Sequence, residues 1–285
     1  MVFEVKFSDF DIFTKVINSA AQVLDKATLR LDPNGIKLRN MDEGHLVLVD
    51  FSIPSEGNGI VEFKCDKEYT ITLDMDDLRR VIQRARKDDT ITIKLDDKNN
   101  LVQFSYEGVS KKQFSLSLLN TDEDLFEGAE LNVDLRVSCD IPGGSLGEFL
   151  KDASIVGSDI TMTAKKDVLS FKSEKIDVGL NYELKKDPEG TFNIEIKGEN
   201  EEITSTYSYE LFKNLVYLDN VSSSVHLTFD GGTPMILKYK LGTDVDIGFL
   251  LAPIEEGDED LEDDEDYLTD KEKDPYADDD EEFEY

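Results

Sequence analysis

A long apolar pattern with helical period, followed by short stretches alternating with period two, occurs twice in each half of this chain. The halves are offset by about 130 residues. In the first half, Phe10, Phe13, Ile17, Ala20 and Leu24 recur every three or four residues and predict an amphipathic helix. Alternating segments follow at Thr28–Leu31, Ile36–Asn40 and His45–Ile53, with a hairpin turn at Asp32-Pro33-Asn34-Gly35. Met75, Leu78, Ile82 and Ala85 predict a second helix, N-capped by Asp74 or Asp76, and strands follow at Thr90–Leu95, Leu101–Tyr106 and Lys111–Leu118. The second half repeats the order. Leu146, Phe149, Leu150, Ala153 and Val156 mark helix three after Pro142-Gly143-Gly144, then strands at Ile160–Ala164, Val168–Ser173, Ile176–Leu184 and Thr191–Ile196. Leu211, Phe212, Leu215 and Leu218 mark helix four, and strands at Val225–Phe229, Met235–Tyr239 and Asp246–Leu251 close the pattern. Such a sequence predicts an α+β fold of two similar halves, each with two helices and many antiparallel strands.

Composition changes sharply after Pro253. Residues 255–285 hold 19 Asp or Glu against Lys271 and Lys273, a net charge of −17 out of −33 for the whole chain. So many like charges among so few apolar residues predict a disordered tail. The expected organisation is therefore 1–118, a first domain; 119–132, a connecting loop; 133–254, a second domain; and 255–285, the acidic tail. The connecting stretch is acidic yet contains Leu125 and Phe126 side by side, which suits a docking segment better than a plain linker. Cys65 and Cys139 are far apart and make neither a metal-ligand pair nor a disulfide framework; both are expected to be reduced, half-buried strand residues. No apolar run approaches the roughly 20 residues needed to span a bilayer. With only His45 and His226, and no phosphate-binding or nucleophile motif, the chain offers no machinery for catalysis, so no enzyme activity, cofactor or metal is expected.

Three features together resemble the DNA sliding clamp family of archaea and eukaryotes, the proliferating cell nuclear antigen family. They are Gly35–Val49, which carries Met41-Asp42-Glu43-Gly44-His45; Phe249-Leu250-Leu251-Ala252-Pro253; and the duplicated helix pattern with Pro234–Tyr239 before the last strand. The resemblance covers residues 1–254. It implies a three-subunit ring, a homotrimer, with antiparallel sheets outside and two helices per domain lining a channel. The ring carries no catalytic site. It encircles duplex DNA without reading sequence, is opened by a clamp loader, and tethers polymerase, ligase and nuclease peptides. It has no membrane role, and would be cytoplasmic at the nucleoid in an archaeon or nuclear in a eukaryote.

The basic residues that would face DNA are Lys15, Arg80, Arg84, Lys87, Lys151 and Lys213, of which Arg80, Arg84 and Lys87 form a row opposite the apolar stripe of helix two. Carried over from the family, the partner-peptide pocket is Met41, Leu48, Leu125, Phe126, Pro234, Leu250, Leu251, Ala252 and Pro253. The subunit interface would pair the strands Lys111–Leu118 and Ile176–Leu184 edge to edge, with Phe114 and Tyr182 as apolar contacts and Arg84 and Arg86 opposite Glu148 and Asp152. Two alternatives stay open: a subunit of a heterotrimeric clamp, or a clamp paralogue that acts mainly as a protein scaffold.

Overall fold

A computed structural model describes residues 3–121, 135–186, 192–198 and 202–254. Among them the chain runs β1 (Phe3–Phe7), α1 (Asp11–Ala20), β2 (Lys26–Asp32), β3 (Gly35–Met41), β4 (Val47–Pro54), β5 (Ile60–Cys65), β6 (Tyr69–Asp74), α2 (Met75–Ile82), β7 (Thr90–Asp96), β8 (Leu101–Glu107) and β9 (Lys111–Ser117). It then repeats the series: β10 (Val137–Pro142), α3 (Ser145–Val156), β11 (Ile160–Lys165), β12 (Val168–Glu174), β13 (Gly179–Lys185), β14 (Asn193–Ile196), β15 (Glu202–Tyr207), α4 (Tyr209–Leu215), β16 (Ser224–Phe229), β17 (Met235–Leu241) and β18 (Val245–Leu251). Helices and strands follow in the same order in both halves.

The repeat extends to pairing. The first half forms a sheet β5-β1-β7-β8-β9, and its counterpart β14-β10-β16-β17-β18 has matching order. The first half also forms β4-β3-β2-β6, matched by β13-β12-β11-β15. One junction has no partner in this scheme. Strand β18 pairs antiparallel with β4, from Asp246 opposite Ser52 to Leu251 opposite Val47, and fuses two of these units into one nine-stranded sheet. The chain leaving each half is also held alike: Leu119 N–H bonds to Thr72 O on β6 at 2.9 Å, and Ile254 N–H bonds to Thr206 O on β15 at 2.8 Å.

Alternation explains which side chains meet. In the first half Phe3, Leu29, Ile36, Ile71, Ile93 and Phe104 point inward from both sheets and close against Phe13 of α1 and Leu78 of α2. In the second, Phe149 of α3 packs 4.8 Å from Phe171 of β12. Glycine is required where backbones touch. A Cβ on Gly35 would lie 2.1 Å from Ile53 O, and one on Gly143 would lie 2.1 Å from Ser222 O.

Four strands lie outside those read from the sequence: β5, β6, β10 and β15. β6 and β10 do alternate, with Tyr69, Ile71 and Leu73 on one face of β6 and Val137, Cys139 and Ile141 on one face of β10, whereas β5 is half exposed. Helix two is shorter than its periodicity predicts. Past Ile82 the chain tightens into i→i−3 bonds, Arg84 N–H to Val81 O at 3.0 Å and Ala85 N–H to Ile82 O at 3.2 Å, while Tyr106 Oη also donates to Val81 O at 2.7 Å and Lys112 Nζ to Arg84 O at 2.9 Å. Arg84 and Lys87 therefore sit on the turn after α2, and not on its helical face. Cys139 is fully buried where half-burial was expected, and its thiol is pushed up to about 12 by desolvation; Cys65 is half-buried, and both are free.

Helix α3 is capped from outside its own segment. Its N-cap residue, Gly144, has no side chain, and Asp219 Oδ2 accepts from Gly147 N–H at 2.8 Å in its place. Asp219 is fully buried, and desolvation raises its carboxyl above the ordinary range against the opposing effect of the backbone donors. A raised folded value means that folding favours the protonated form, so its contribution to stability falls as pH rises through that value. Urea unfolding of Asp219→Ala is expected to show a loss of about 1–2 kcal/mol. Asp219→Asn should keep the bond to Gly147 through its amide oxygen and flatten the decline in stability between acid and neutral pH.

Candidate functional site

The residues that the sequence analysis assigns to a peptide pocket converge on the outer face of the nine-stranded sheet, opposite the core. Inward positions of β18 and β4 are Ile247, Phe249, Leu251, Val47, Val49 and Phe51, all buried in the core. Between them, pointing outward, lie Leu250 and Leu48, which are cross-strand partners. Leu250 is also opposite Ile236 of β17, and Leu48 is opposite Met41 of β3. The result is a row Ile236–Leu250–Leu48–Met41 across four strands. Leu48 and Ile236 are 3% and 2% exposed yet stand outside the hydrophobic core, while Leu250 and Met41 are half-buried. Leu251, assigned to the same pocket, points the other way and is core.

Polar groups shape the rim. Asp42 Oδ1 accepts from Leu46 N–H at 2.8 Å and Val47 N–H at 2.7 Å, which folds the loop after Met41 and leaves Leu46 exposed. Leu46 O accepts from Ala252 N–H at 2.9 Å, pinning Ala252 and Pro253 beside the row. Tyr207 Oη donates to Thr233 O at 2.9 Å and fixes the approach to Pro234. Leu125 and Phe126 lie outside the described residues. Ile236 and Leu46 were not among the residues singled out from sequence. Ile236 sits in the apolar run Met235-Ile236-Leu237, where alternation is masked, and only its register opposite Leu250 reveals the outward side chain.

The adjacent outward row is charged: Arg39, Asp50, Gly248, Lys238, His226 and Asp140 are successive cross-strand neighbours. Arg39 lies 3.1 Å from Asp50, and His226 Nδ1 lies 2.8 Å from Asp140. Burial raises the Asp50 carboxyl, against the pull of Arg39 and Lys238. This pairing accounts for His226 as a structural residue. Among the described residues no cluster of His, Cys, Asp and Glu could hold a metal, and no helix is long and apolar enough to cross a membrane.

The basic residues are distributed over α1, the end of α2, α3 and α4. Lys15 is bonded to Asp11 at 2.6 Å, Arg80 to Asp77 at 3.2 Å, and Lys213 to Glu210. Arg84, Arg86, Lys87 and Lys151 are exposed, and among the described residues no carboxylate stands within ion-pair distance of them.

Two strand edges differ in charge. Along β9, Phe114 packs edge-on against Tyr106 at 5.7 Å and Lys112 reaches Arg84 O; Lys111 pairs with Glu107 at 2.6 Å and Lys112 lies 3.6 Å from Asp89, which leaves Arg84 as the unpaired cation there among the described residues. Along β13, Tyr182 packs 5.5 Å from Phe149. Its phenol is raised by desolvation first and then by the charges of Glu148 and Asp152, which places both carboxylates of α3 near this edge.

A duplicated unit of two helices and nine strands, fused through one sheet and bearing an outward apolar row, defines the DNA clamp fold. The computed structure is similar to the crystal structure of proliferating cellular nuclear antigen from Entamoeba histolytica, with a TM-score of 0.79, 21% identity, and coverage of 90% of this chain and 100% of that one. It is also similar to that of PCNA from Thermococcus kodakaraensis, with a TM-score of 0.77, 24% identity, and coverage of 88% and 100%. In sequence, residues 2–125 match the family described as proliferating cell nuclear antigen, N-terminal domain. The DNA polymerase sliding clamp of Pyrococcus horikoshii is 29% identical over 253 residues, which is 89% of this chain and 98% of the relative. DNA polymerase sliding clamp 1 of Thermococcus kodakarensis shows the same identity and coverage. The chain belongs to the proliferating cell nuclear antigen family of DNA polymerase sliding clamps, which are not enzymes.

The two faces of β18 predict opposite consequences of truncation. Leu251→Ala should cost about 2–5 kcal/mol in urea unfolding, as a core cavity. Leu250→Ser, on the outer face, should cost less than about 1 kcal/mol; equal losses would show that the row is not a free surface.

Proposed function

We propose that three copies of this chain close head to tail into a ring around duplex DNA, and that the outer apolar row tethers polymerases and other replication proteins to it. The carrying observation is the β18–β4 junction. In the duplicated scheme β9 is the counterpart of β18, and β13 is the counterpart of β4. Inside the chain the counterparts pair; β9 and β13 are left as sheet edges among the described residues. Joining β9 of one copy to β13 of the next repeats the junction that the chain already makes once. It also satisfies two seven-residue edges that would otherwise invite uncontrolled association.

The side chains suit that joint. Phe114 and Tyr182 occupy the inward rows of the two edges, and Arg84 and Arg86, after α2, would face Glu148 and Asp152 of α3 beside β13. A head-to-tail joint closes only at a fixed number of copies; three copies give six repeats, each contributing two helices. These helices would line the hole and present Lys15, Arg80, Lys151 and Lys213, with Arg84 and Lys87 on the adjoining turn. Contacts from such scattered cations are phosphate-directed, which lets the ring slide without reading bases. The apolar row suits a small amphipathic turn of a partner peptide, received by Met41, Leu48, Leu250 and Pro234 between the rim residues Leu46 and Ala252. Met41 can repack for different partners.

Light scattering across a salt series tests the assembly. The full chain is expected at the mass of three copies, about 97 kDa from a 32.2 kDa chain. Tyr182→Glu, which adds a carboxylate beside Glu148 and Asp152, should shift it to monomer with its thermal midpoint little changed. A monomer for the unaltered chain at every salt concentration would sink the self-closing ring.

A further inference from the structure

We propose that Lys112 and Tyr182 of neighbouring copies meet across the β9–β13 joint, the Lys112 ammonium donating to the Tyr182 hydroxyl, and that this pair fixes the register in which copies join. This rests on the ring reading and adds the one polar contact that distinguishes the joint between copies from the joint inside the chain.

The register follows from two landmarks that occur once in each half. Leu119 N–H bonds to Thr72 O where the first half ends, and Ile254 N–H bonds to Thr206 O where the second ends. Each of these threonines also shares a hydroxyl–hydroxyl bond with a threonine on the next strand, Thr72 with Thr28 at 2.9 Å and Thr206 with Thr161 at 3.1 Å. Three, five and seven residues before the two exit points, Leu116, Phe114 and Lys112 hold the places of Leu251, Phe249 and Ile247. Across the sheets, cross-strand partners run Ile71, Leu29, Leu38, Phe51 in the first half and Ser205, Met162, Phe171, Tyr182 in the second. Tyr182 therefore holds the place of Phe51. Inside the chain Ile247 lies opposite Phe51, Phe249 opposite Val49, and Leu251 opposite Val47. Between copies the same joint sets Lys112 opposite Tyr182, Phe114 opposite Leu180, and Leu116 opposite Val178. The last pair covers Val178, which is 38% exposed in the single chain.

Two of the three inward pairs are apolar in both joints. At the third, Ile247–Phe51 becomes Lys112–Tyr182, so burial falls on groups that need partners. Lys112 Nζ donates to Arg84 O at 2.9 Å and lies 3.6 Å from the buried Asp89 carboxylate; these oxygens account for at most two of the three ammonium donors. The Tyr182 side chain is half-buried, and its hydroxyl has no hydrogen-bond partner among the described residues. Sliding the joint by two residues, the smallest step that keeps inward rows inward, would set Lys112 against Leu180 or Leu184 and bury both polar groups apart from each other. A carboxylate at 182 does not replace the phenol, because Asp89 already holds Lys112 while Glu148 and Asp152 lie near that position.

Two measurements on the full chain test this. Ser115→Cys with Gly179→Cys puts thiols at the counterparts of Leu250 and Leu48, which are cross-strand partners. Both positions are exposed, and a Cβ on Gly179 meets nothing closer than Glu174 Cγ at 3.4 Å. Mild oxidation is expected to give a covalent three-chain species on non-reducing gels, whereas Ser115→Cys with Asn181→Cys, one diagonal step away, and each single variant should not cross-link. Dilution in mass photometry then gives the dissociation constant of the assembly for Lys112→Ile, Tyr182→Phe and the double variant. Each single change is expected to weaken assembly at least about tenfold, and the double variant, which copies Ile247–Phe51, to recover at least about tenfold of the combined loss. The lost Lys112–Asp89 contact is common to Lys112→Ile and the double variant and cancels in the cycle. Additive losses, or an intact trimer in which the Ser115–Gly179 pair fails to cross-link, overturn the proposal and leave the ring standing. A monomer for the unaltered chain defeats the ring reading itself, and this proposal with it.

Discussion

An antiparallel sheet has to end somewhere, and how this chain ends its sheets governs the rest of its architecture. Each half supplies a five-stranded and a four-stranded unit. Two of the outer strands, β6 and β15, are covered by the backbone that follows each half, through Leu119 and Ile254. Two more, β18 and β4, satisfy each other. Among the described residues β5, β14, β9 and β13 remain as sheet ends, and of these β9 and β13 are the counterparts of β18 and β4. The chain itself makes this kind of joint once, at β18–β4. Its aromatic anchors, Phe114 on Tyr106 and Tyr182 on Phe149, tie both edges to their own cores, so that the edges are presented as rigid surfaces.

This constraint also explains why the functional surfaces fall where they do. Every strand of the nine-stranded sheet is buried on one face, so its other face must be outward, and a one-residue step along β18 separates core Leu251 from outward Leu250. The outward apolar row and the core are therefore the same strands read with opposite phase. A substitution that shifted the register by one residue would exchange them.

Legibility in the sequence follows the same physics. The helices, the hairpin at Pro33-Asn34, and strands such as β7, β8 and β16 show clean periodicity because one face is buried and the other wet. Strands β4 and β17 read as apolar runs because the outward row adds Leu48 and Ile236 to an already apolar inner face; they look like buried strands until pairing shows that the extra side chains face out. Helix two is shorter than its period suggests because Ala85 continues the period while its N–H bonds three residues back, to Ile82 O, on a turn that Tyr106 and Lys112, distant in sequence, also contact. The cap on α3 was invisible for the same reason: the helix begins with two glycines, and its capping carboxylate comes from Asp219, 72 residues from the Gly147 amide it receives. What local pattern could not supply was the identity of long-range partners; motif resemblance supplied part of it, by bringing Met41 and Leu250 into one site before their strands were known to lie two apart.

Charge presents the sharpest apparent conflict, since a protein of net charge −33 is assigned to encircle a polyanion. The conflict dissolves once sign is resolved by location. Of the excess, −17 lies in residues 255–285, beyond the last strand, and −16 in residues 1–254. Arg84, Arg86, Lys87 and Lys151, at the end of α2 and on α3, belong to the cations with no carboxylate in ion-pair distance among the described residues. Weak and few contacts are what a sliding ring needs: affinity that rises steeply with each added phosphate contact would also slow movement along DNA. In the proposed ring, topological enclosure would supply retention, so a channel only modestly basic would suffice.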